Sequence, residues 1–321
     1  MADGLMELWP TFDQPNRELA VALRANTEAL QENVGTFMWH GPSRRLLFRC
    51  GTSLLDAGPS EQALGYWRDM VHRAKQELGF SHPDTLTARA NLAACYDADG
   101  SYEQALTLHE PVLLESERLL GTDHPNTLRA RSNLSHTVGN LGRHQDALAL
   151  IEGLLADSER LLGMDHPDVL ATRANLALTL GNLGRTEEAL TLEQQVLYDR
   201  ERVLGSDHPE TIRARFNLAA TYHALGRSSE ALALMEHVVA DVERVLGPEH
   251  PEIFRARASL AATYGELGRH AEAADLEERV LVDRERILGS DHPHTIQARA
   301  SLAAAYGELD RHAEARALLE D

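Results

Sequence analysis

A His-Pro dipeptide returns every 42 residues along this chain, at His82-Pro83, His124-Pro125, His166-Pro167, His208-Pro209, His250-Pro251 and His292-Pro293. Each copy follows Leu-Gly and two further residues, as in Leu204-Gly205-Ser206-Asp207. Six gap-free recurrences restrict the fold to a linear array, because each period must be one supersecondary unit that stacks on the next. A seventh, worn copy fits upstream in the same register, with Ala63 aligned to Ala105 and His40 to His82.

The punctuation inside one period predicts two helices. Gly121, Gly163, Gly205, Gly247 and Gly289 close apolar-periodic stretches and suit a left-handed C′ position. The proline that follows suits the first helical turn, where a missing N–H costs nothing. The acid before His-Pro (Glu249 in one copy, with Ser81 in another) is expected to accept from the newly exposed amides. A second break at Gly100, Gly142, Gly184, Gly226 and Gly268 separates helix A from helix B, and Asp310 replaces glycine in the last copy. In one copy helix A holds Thr211 to Tyr222, and helix B runs from Glu230 to Leu246. Leu218, Ala219, Tyr222, Ala231 and Leu232 fall at helical spacing and predict the seam between them. Alanines at fixed places, such as Ala93, Ala177 and Ala261 in helix A and Ala105, Ala147 and Ala273 in helix B, predict close helix approach.

Composition bounds the function. The 321 residues carry a formal net charge of -19, which argues against a general affinity for nucleic acid or an anionic membrane. Cys50 and Cys95 offer no metal-ligand spacing and no disulfide framework, so the expected location is cytoplasmic. The acidic stretch from Met1 to Pro10 does not read as a signal peptide. The His-Pro histidines lie one per repeat on loops a hairpin apart, too dispersed to converge on one metal, so their expected role is capping. No phosphate loop and no nucleophile at a fixed offset from a base is present, so neither a cofactor nor catalysis is expected.

Asn-Leu-Ala-x-x-Tyr (217–222), Leu-Gly-Arg (225–227) and Glu-Ala-Leu (230–232) resemble the tetratricopeptide signature, and the 42-residue period with Leu-Gly-x-Asp-His-Pro is similar to the kinesin-light-chain variety. The resemblance covers roughly residues 40 to 321. It implies an all-α fold, a right-handed superhelix (an α-solenoid) of about seven helical hairpins with an N-terminal capping helix. The domain reading is a helical cap over residues 1–37, with one amphipathic helix from about Asn16 to Asn33, and a repeat array over 38–321 whose first copy is degenerate. The last copy is truncated, since by the period its helix B would reach about residue 330. A second resemblance, carried by Leu19 to Leu30 and Leu46 to Asp56, is to the sensor arm of actinobacterial STAND (NB-ARC) ATPases, although this chain has no Gly-x-x-x-x-Gly-Lys-Ser/Thr loop.

In such arrays the A helices line the concave side, so the sequence predicts ladders there. Asn91, Asn133, Asn175 and Asn217, followed by Ser259 and Ser301, form the first; an amide can both donate to and accept from a peptide backbone. Arg129, Arg213 and Arg255 form the second and would concentrate an anionic ligand. A third, Arg89, Arg131, Arg173, Arg215, Arg257 and Arg299, is too regular for recognition and reads as structural, its stems in the seam and its heads on helix B carboxylates. Phe216, His136 and His223 depart from their repeat consensus on the groove side and mark the middle of the array as the expected hot spot.

These positions together predict a scaffold that binds a protein or peptide, acidic in character, and neither nucleic acid nor membrane. Self-association through the terminal repeat is a further expectation. The alternative is a trigger-sensing arm of a STAND-type protein.

Overall fold

The computed structural model describes residues 2–10, 16–39, 41, 43–57, 61–247 and 251–320. Among them there are helices and no strands. The helices are α1 (Ala2–Leu8), α2 (Arg17–Val34), α3 (Arg44–Asp56), α4 (Glu61–Leu78), α5 (Pro83–Ala98), α6 (Tyr102–Leu120), α7 (Pro125–Asn140) and α8 (His144–Leu162). They continue with α9 (Pro167–Asn182), α10 (Thr186–Leu204), α11 (Pro209–Ala224), α12 (Ser228–Leu246), α13 (Pro251–Glu266), α14 (His270–Leu288), α15 (Pro293–Glu308) and α16 (His312–Glu320). From α5 onward the odd-numbered helices are the A helices and the even-numbered the B helices. The chain forms two compact units, Met1–Leu161 and Leu162–Asp321, each built of hairpins stacked in sequence order.

The turn from helix B to helix A explains the His-Pro period. At the end of α10, Gly205 sits at φ 89 and ψ 162. That is a positive φ as expected, but with an extended ψ open essentially to glycine alone rather than the left-handed helical conformation. Its carbonyl accepts from the Thr211 hydroxyl at 2.8 Å and from the His208 amide at 3.4 Å. His208 is the N-cap of α11, with Nδ1 accepting from the Glu210 amide at 3.2 Å and Pro209 in the first turn. His82, His124, His166 and His292 cap in the same way. His40, His250 and Glu249 lie outside the described residues.

The capping role expected of the acid before His-Pro therefore belongs to the histidine. The acid is engaged elsewhere: Asp207 accepts both Arg244 nitrogens at 2.7 Å, and Asp123 and Asp165 take Arg160 and Arg202. A histidine fills the cap because proline at the next position holds the imidazole close to the first free amide.

The A-to-B turn carries the left-handed C′ residue. In α7 the Arg143 amide donates to Val138 O at 3.1 Å and the Gly142 amide to Gly139 O at 2.9 Å, with Gly142 at φ 76. That pair of bonds is a Schellman motif. Asp310 keeps the same geometry at φ 57, the one positive φ on a non-glycine among the described residues.

Within a hairpin the seam is small against large. Ala219 and Ala231 are fully buried and Leu218 nearly so, while Tyr222 and Leu232 are half-buried. The worn first copy keeps this logic with different residues. Trp67 fills the seam there and donates to Gly51 O at 3.2 Å. A Cβ on Gly51 would meet the indole at 2.4 Å, so the large residue and the missing side chain match as a pair.

The amino-terminal segment holds more than the single helix expected. Besides α2 there is α1, and a 3-10 turn covers Gly35–Trp39. Seven residues would not hold a helix alone. Here Trp9 is buried beneath Arg49, whose guanidinium lies 5.1 Å from the ring and donates to Pro10 O at 3.0 Å.

His208→Ala should lower stability by about 1 kcal/mol, and His208→Asn should recover most of it. Urea unfolding monitored by far-UV circular dichroism would show this; an unchanged midpoint in the alanine variant would refute the capping role. Asp310→Gly should relieve the left-handed strain by roughly 0.5 kcal/mol and slow amide exchange in α15 and α16 about twofold.

Candidate functional site

The expected site residues fall into both units. Unit one holds Asn91 on α5 with Arg129, Asn133 and His136 on α7. Unit two holds Asn175 on α9, Arg213, Phe216, Asn217 and His223 on α11, and Arg255 on α13. His136 and the pair Phe216 and His223 thus belong to different units.

The four asparagines of the first ladder differ in exposure. Asn175 is exposed and Asn91, Asn133 and Asn217 are half-buried. Among the described residues none of the four side-chain amides has a hydrogen-bond partner. The arginines differ from one another. Arg129 has no carboxylate partner among the described residues. Arg213 pairs with Glu210 and Arg255 with Glu252, the latter at 2.5 Å, each one turn back on its own helix. Arg255 also lies over the Phe216 ring at 4.6 Å. These half-exposed pairs contribute little to stability, but they fix the side chains along a rim.

Between α11 and α13 that rim borders a cleft of about 280 Å³ with an apolar floor. Ile212, Phe216, Val238, Val242 and Ala256 line it below Arg213 and Arg255. The corresponding space between α5 and α7 in unit one is about 20 Å³, lined in part by Thr87, Ala90, Ser116, Arg129 and Asn133. The A-helix ladders miss Val238 and Val242, which stand on helix B; comparing the copies of helix B position by position would have found them.

The two histidines have local partners. Asn140 Nδ2 lies 3.2 Å from His136 Nδ1. His223 Nδ1 lies 2.8 Å from Glu266 Oε2, which also accepts from the Ser228 hydroxyl at 2.9 Å. Among the described residues no group of three His, Cys, Asp or Glu side chains could hold a metal. No described helix is long and apolar enough to cross a membrane.

The third arginine ladder is bound into the framework. Arg215 donates to Glu201 on α10 at 2.7 Å, to Asp241 on α12 at 2.5 Å and to Ser206 O at 3.2 Å in the intervening turn. Arg131, Arg173, Arg257 and Arg299 make corresponding ion pairs. Arg89 differs, lying over Phe80 at 4.6 Å.

Two buried acids titrate unusually, burial raising the carboxyls of both Glu193 on α10 and Glu277 on α14. Glu277 occupies the core position held elsewhere by Trp67, His109, Ile151, Glu193 and Met235. Burial pushes its carboxyl up to about 7 from the usual 4.5, opposed by the charge of Arg284. The folded state then binds more protons than the unfolded state between those values. The stabilisation present below pH 4.5 is lost as pH rises through 7. Glu277→Gln should remove that slope and leave the variant more stable at pH 8 by on the order of 2 kcal/mol, with little difference at pH 4.5. Thermal melts across this range would reveal it; parallel curves for the two proteins would contradict it.

Family models of the tetratricopeptide repeat match residues 84–152, 169–210, 211–252, 255–294 and 296–321, together more than half of the chain. Among solved structures, the nearly identical TPR-like repeats assigned to a kinesin light chain of Podosopora anserina are 31% identical. That match covers 64% of this chain and 98% of the other, with a TM-score of 0.55. A Rap protein complexed with competence and sporulation factor shares the fold at 13% identity and TM-score 0.59, over 97% of this chain and 84% of its own. So does a STAND protein with a tetratricopeptide repeat sensor from Pyrococcus horikoshii, at 13% identity and TM-score 0.60, over 93% of this chain and 45% of its own. No curated protein sequence matches the chain. The 42-residue hairpins and these matches identify the chain as a member of the tetratricopeptide repeat family, a scaffold for protein interaction.

Proposed function

We propose that the chain holds an extended, acidic peptide segment along its A helices, as scaffolds of the kinesin-light-chain-like type would. The observation that carries this reading is the run of asparagine amides without protein partners, each offering a donor and an acceptor to a passing backbone. Arg129, which has no described carboxylate beside it, supplies the preference for acid; Arg213 and Arg255, already paired, position rather than attract. The same proposal takes residues 1–37 as a cap, 38–321 as the binding array and the cytoplasm as its setting, with self-association through the terminal repeat.

A second reading is favoured by the fold-level likeness to a STAND sensor, which spans 93% of this chain. The array would then be the trigger-sensing arm of a signalling ATPase. A nucleotide-binding domain encoded in the same or an adjacent gene would support it, and a genomic neighbourhood without one would remove it.

The experiment is affinity capture from the source organism's lysate, comparing wild type with the triple variant Asn133→Ala, Asn175→Ala, Asn217→Ala. Three lost hydrogen bonds at about 1 kcal/mol each should weaken binding about 100-fold. The triple variant Arg129→Glu, Arg213→Glu, Arg255→Glu should lose the same partner. Undiminished capture by both variants would place recognition off the A helices and sink the proposal.

A further inference from the structure

The copies of helix B differ sharply at one core position: Ser116, Ser158, Arg200, Val242 and Arg284. In unit two this position decides whether the space between neighbouring A helices is filled. Arg200 is 1% exposed. It rises from α10 between α9 and α11, donates to Glu210 O at 2.9 Å and meets the Glu210 carboxylate at 3.0 Å. Two repeats on, Arg284 repeats the arrangement from α14, donating to His294 O at 2.7 Å beside the Phe254 ring. Between these filled positions stands Val242, with the 280 Å³ cleft above it.

The protein thus displays, on either side of the open cleft, the kind of side chain that fits such a space. Glu252 holds in the open cleft the place that Glu210 holds beside Arg200, in the first turn of the next A helix, and lines the cleft. The floor keeps its apolar character, Val238 standing where Val196 and Val280 stand. One wall is larger: Phe216 replaces Ala174 and Ala258 and offers a ring against which a methylene stem can pack.

We infer that the cleft between α11 and α13 is a subsite for an arginine side chain supplied by the bound peptide. The stem lies on Val238, Val242 and Phe216, and the guanidinium donates to Glu252 as Arg200 donates to Glu210. The two rim arginines do not forbid a third guanidinium, since each carries its own glutamate. Glu210 itself serves Arg200 and Arg213 together. Arg284 is accommodated with only a carbonyl at the acceptor position, because His294 stands where the glutamates stand. The net charge of -19 further favours a cationic side chain over an anionic one. This subsite rests on the peptide-binding reading for its biological partner and adds a residue of opposite charge to the acidic segment proposed there.

The full chain, labelled on isoleucine and valine methyls, is titrated with N-acetyl-arginine amide, with N-acetyl-norleucine amide and N-acetyl-glutamate amide as controls. The arginine probe should shift the Ile212 and Val238 methyl resonances with an affinity on the order of millimolar. Norleucine should bind at least roughly fivefold more weakly, and glutamate should leave the resonances unmoved. Val242→Arg should plug the cleft from within and abolish the response, with a circular dichroism spectrum like that of wild type. Norleucine acting as strongly as arginine, or no shift with arginine in the wild type, overturns the inference without recourse to any variant. If folded Val242→Arg still captures the partner that the asparagine variant loses, the arginine subsite falls and the groove reading stands. If the asparagine variant loses no partner, the groove reading falls while the titration still decides the subsite.

Discussion

In three repeats one guanidinium, that of Arg131, Arg215 or Arg257, ties together what would otherwise be separable pieces. Arg215 bonds the preceding helix B through Glu201, the following helix B through Asp241 and the turn between them through Ser206 O. Asp241 in turn receives Arg244, and Arg244 reaches back to Asp207 in the same turn. The result is a closed circuit of charge joining two B helices, one A helix and the loop that carries His208. Arg215 is only about a tenth exposed, and deleting it would leave Glu201 without this partner and Asp241 with Arg244 alone, loosening the tie between the two B helices. No hairpin buries its apolar face alone, so interactions that fix one hairpin against the next set the geometry of everything on the A helices.

The turn supplies the second constraint. Glycine at φ 89 and ψ 162, histidine as cap and proline in the first turn leave the chain one route from α10 into α11. Because the route is the same in each well-formed copy, positions separated by 42 residues occupy equivalent environments within their unit. Substitutions between copies then behave as an internal mutation series. Trp67 with Gly51, His109 with Asp97, and Glu277 with no hydrogen-bond partner among the described residues are three solutions to one packing problem. The third leaves an acid uncompensated, which is why its carboxyl is displaced toward neutrality.

The repeat, the helix pair within it and its seam were legible in the sequence because they follow from spacing: Ala219, Ala231 and Leu218 are buried as their period requires. The acid before His-Pro was misread because Asp207 and His208 are both plausible caps, and only the backbone path shows which one faces the free amide. The short α1 was invisible because its stability comes from Arg49 and the core beneath Trp9 rather than from its own seven residues. At the site, the A-helix ladders could be read from spacing. The pairing of Arg213 and Arg255 with acids one turn back could not be assumed, since a glutamate three residues away is equally able to face solvent.

A repeat array binds through its exceptions, because a surface that repeats without change cannot say which segment of a partner belongs where. The regular arginine ladder is consumed by structure, and the regular histidines are consumed by capping. On the proposed reading, what remains for recognition is the asparagine run, whose amides would suit any backbone, and the places where one copy departs from the rest. In unit two the largest departure pairs Phe216 on helix A with Val242 on helix B, one adding a wall and the other withdrawing a plug. Either change alone would leave a crowded or a featureless space. Together they make a defined cleft, and under the proposed function the asparagine run would hold a segment while that cleft fixes its register.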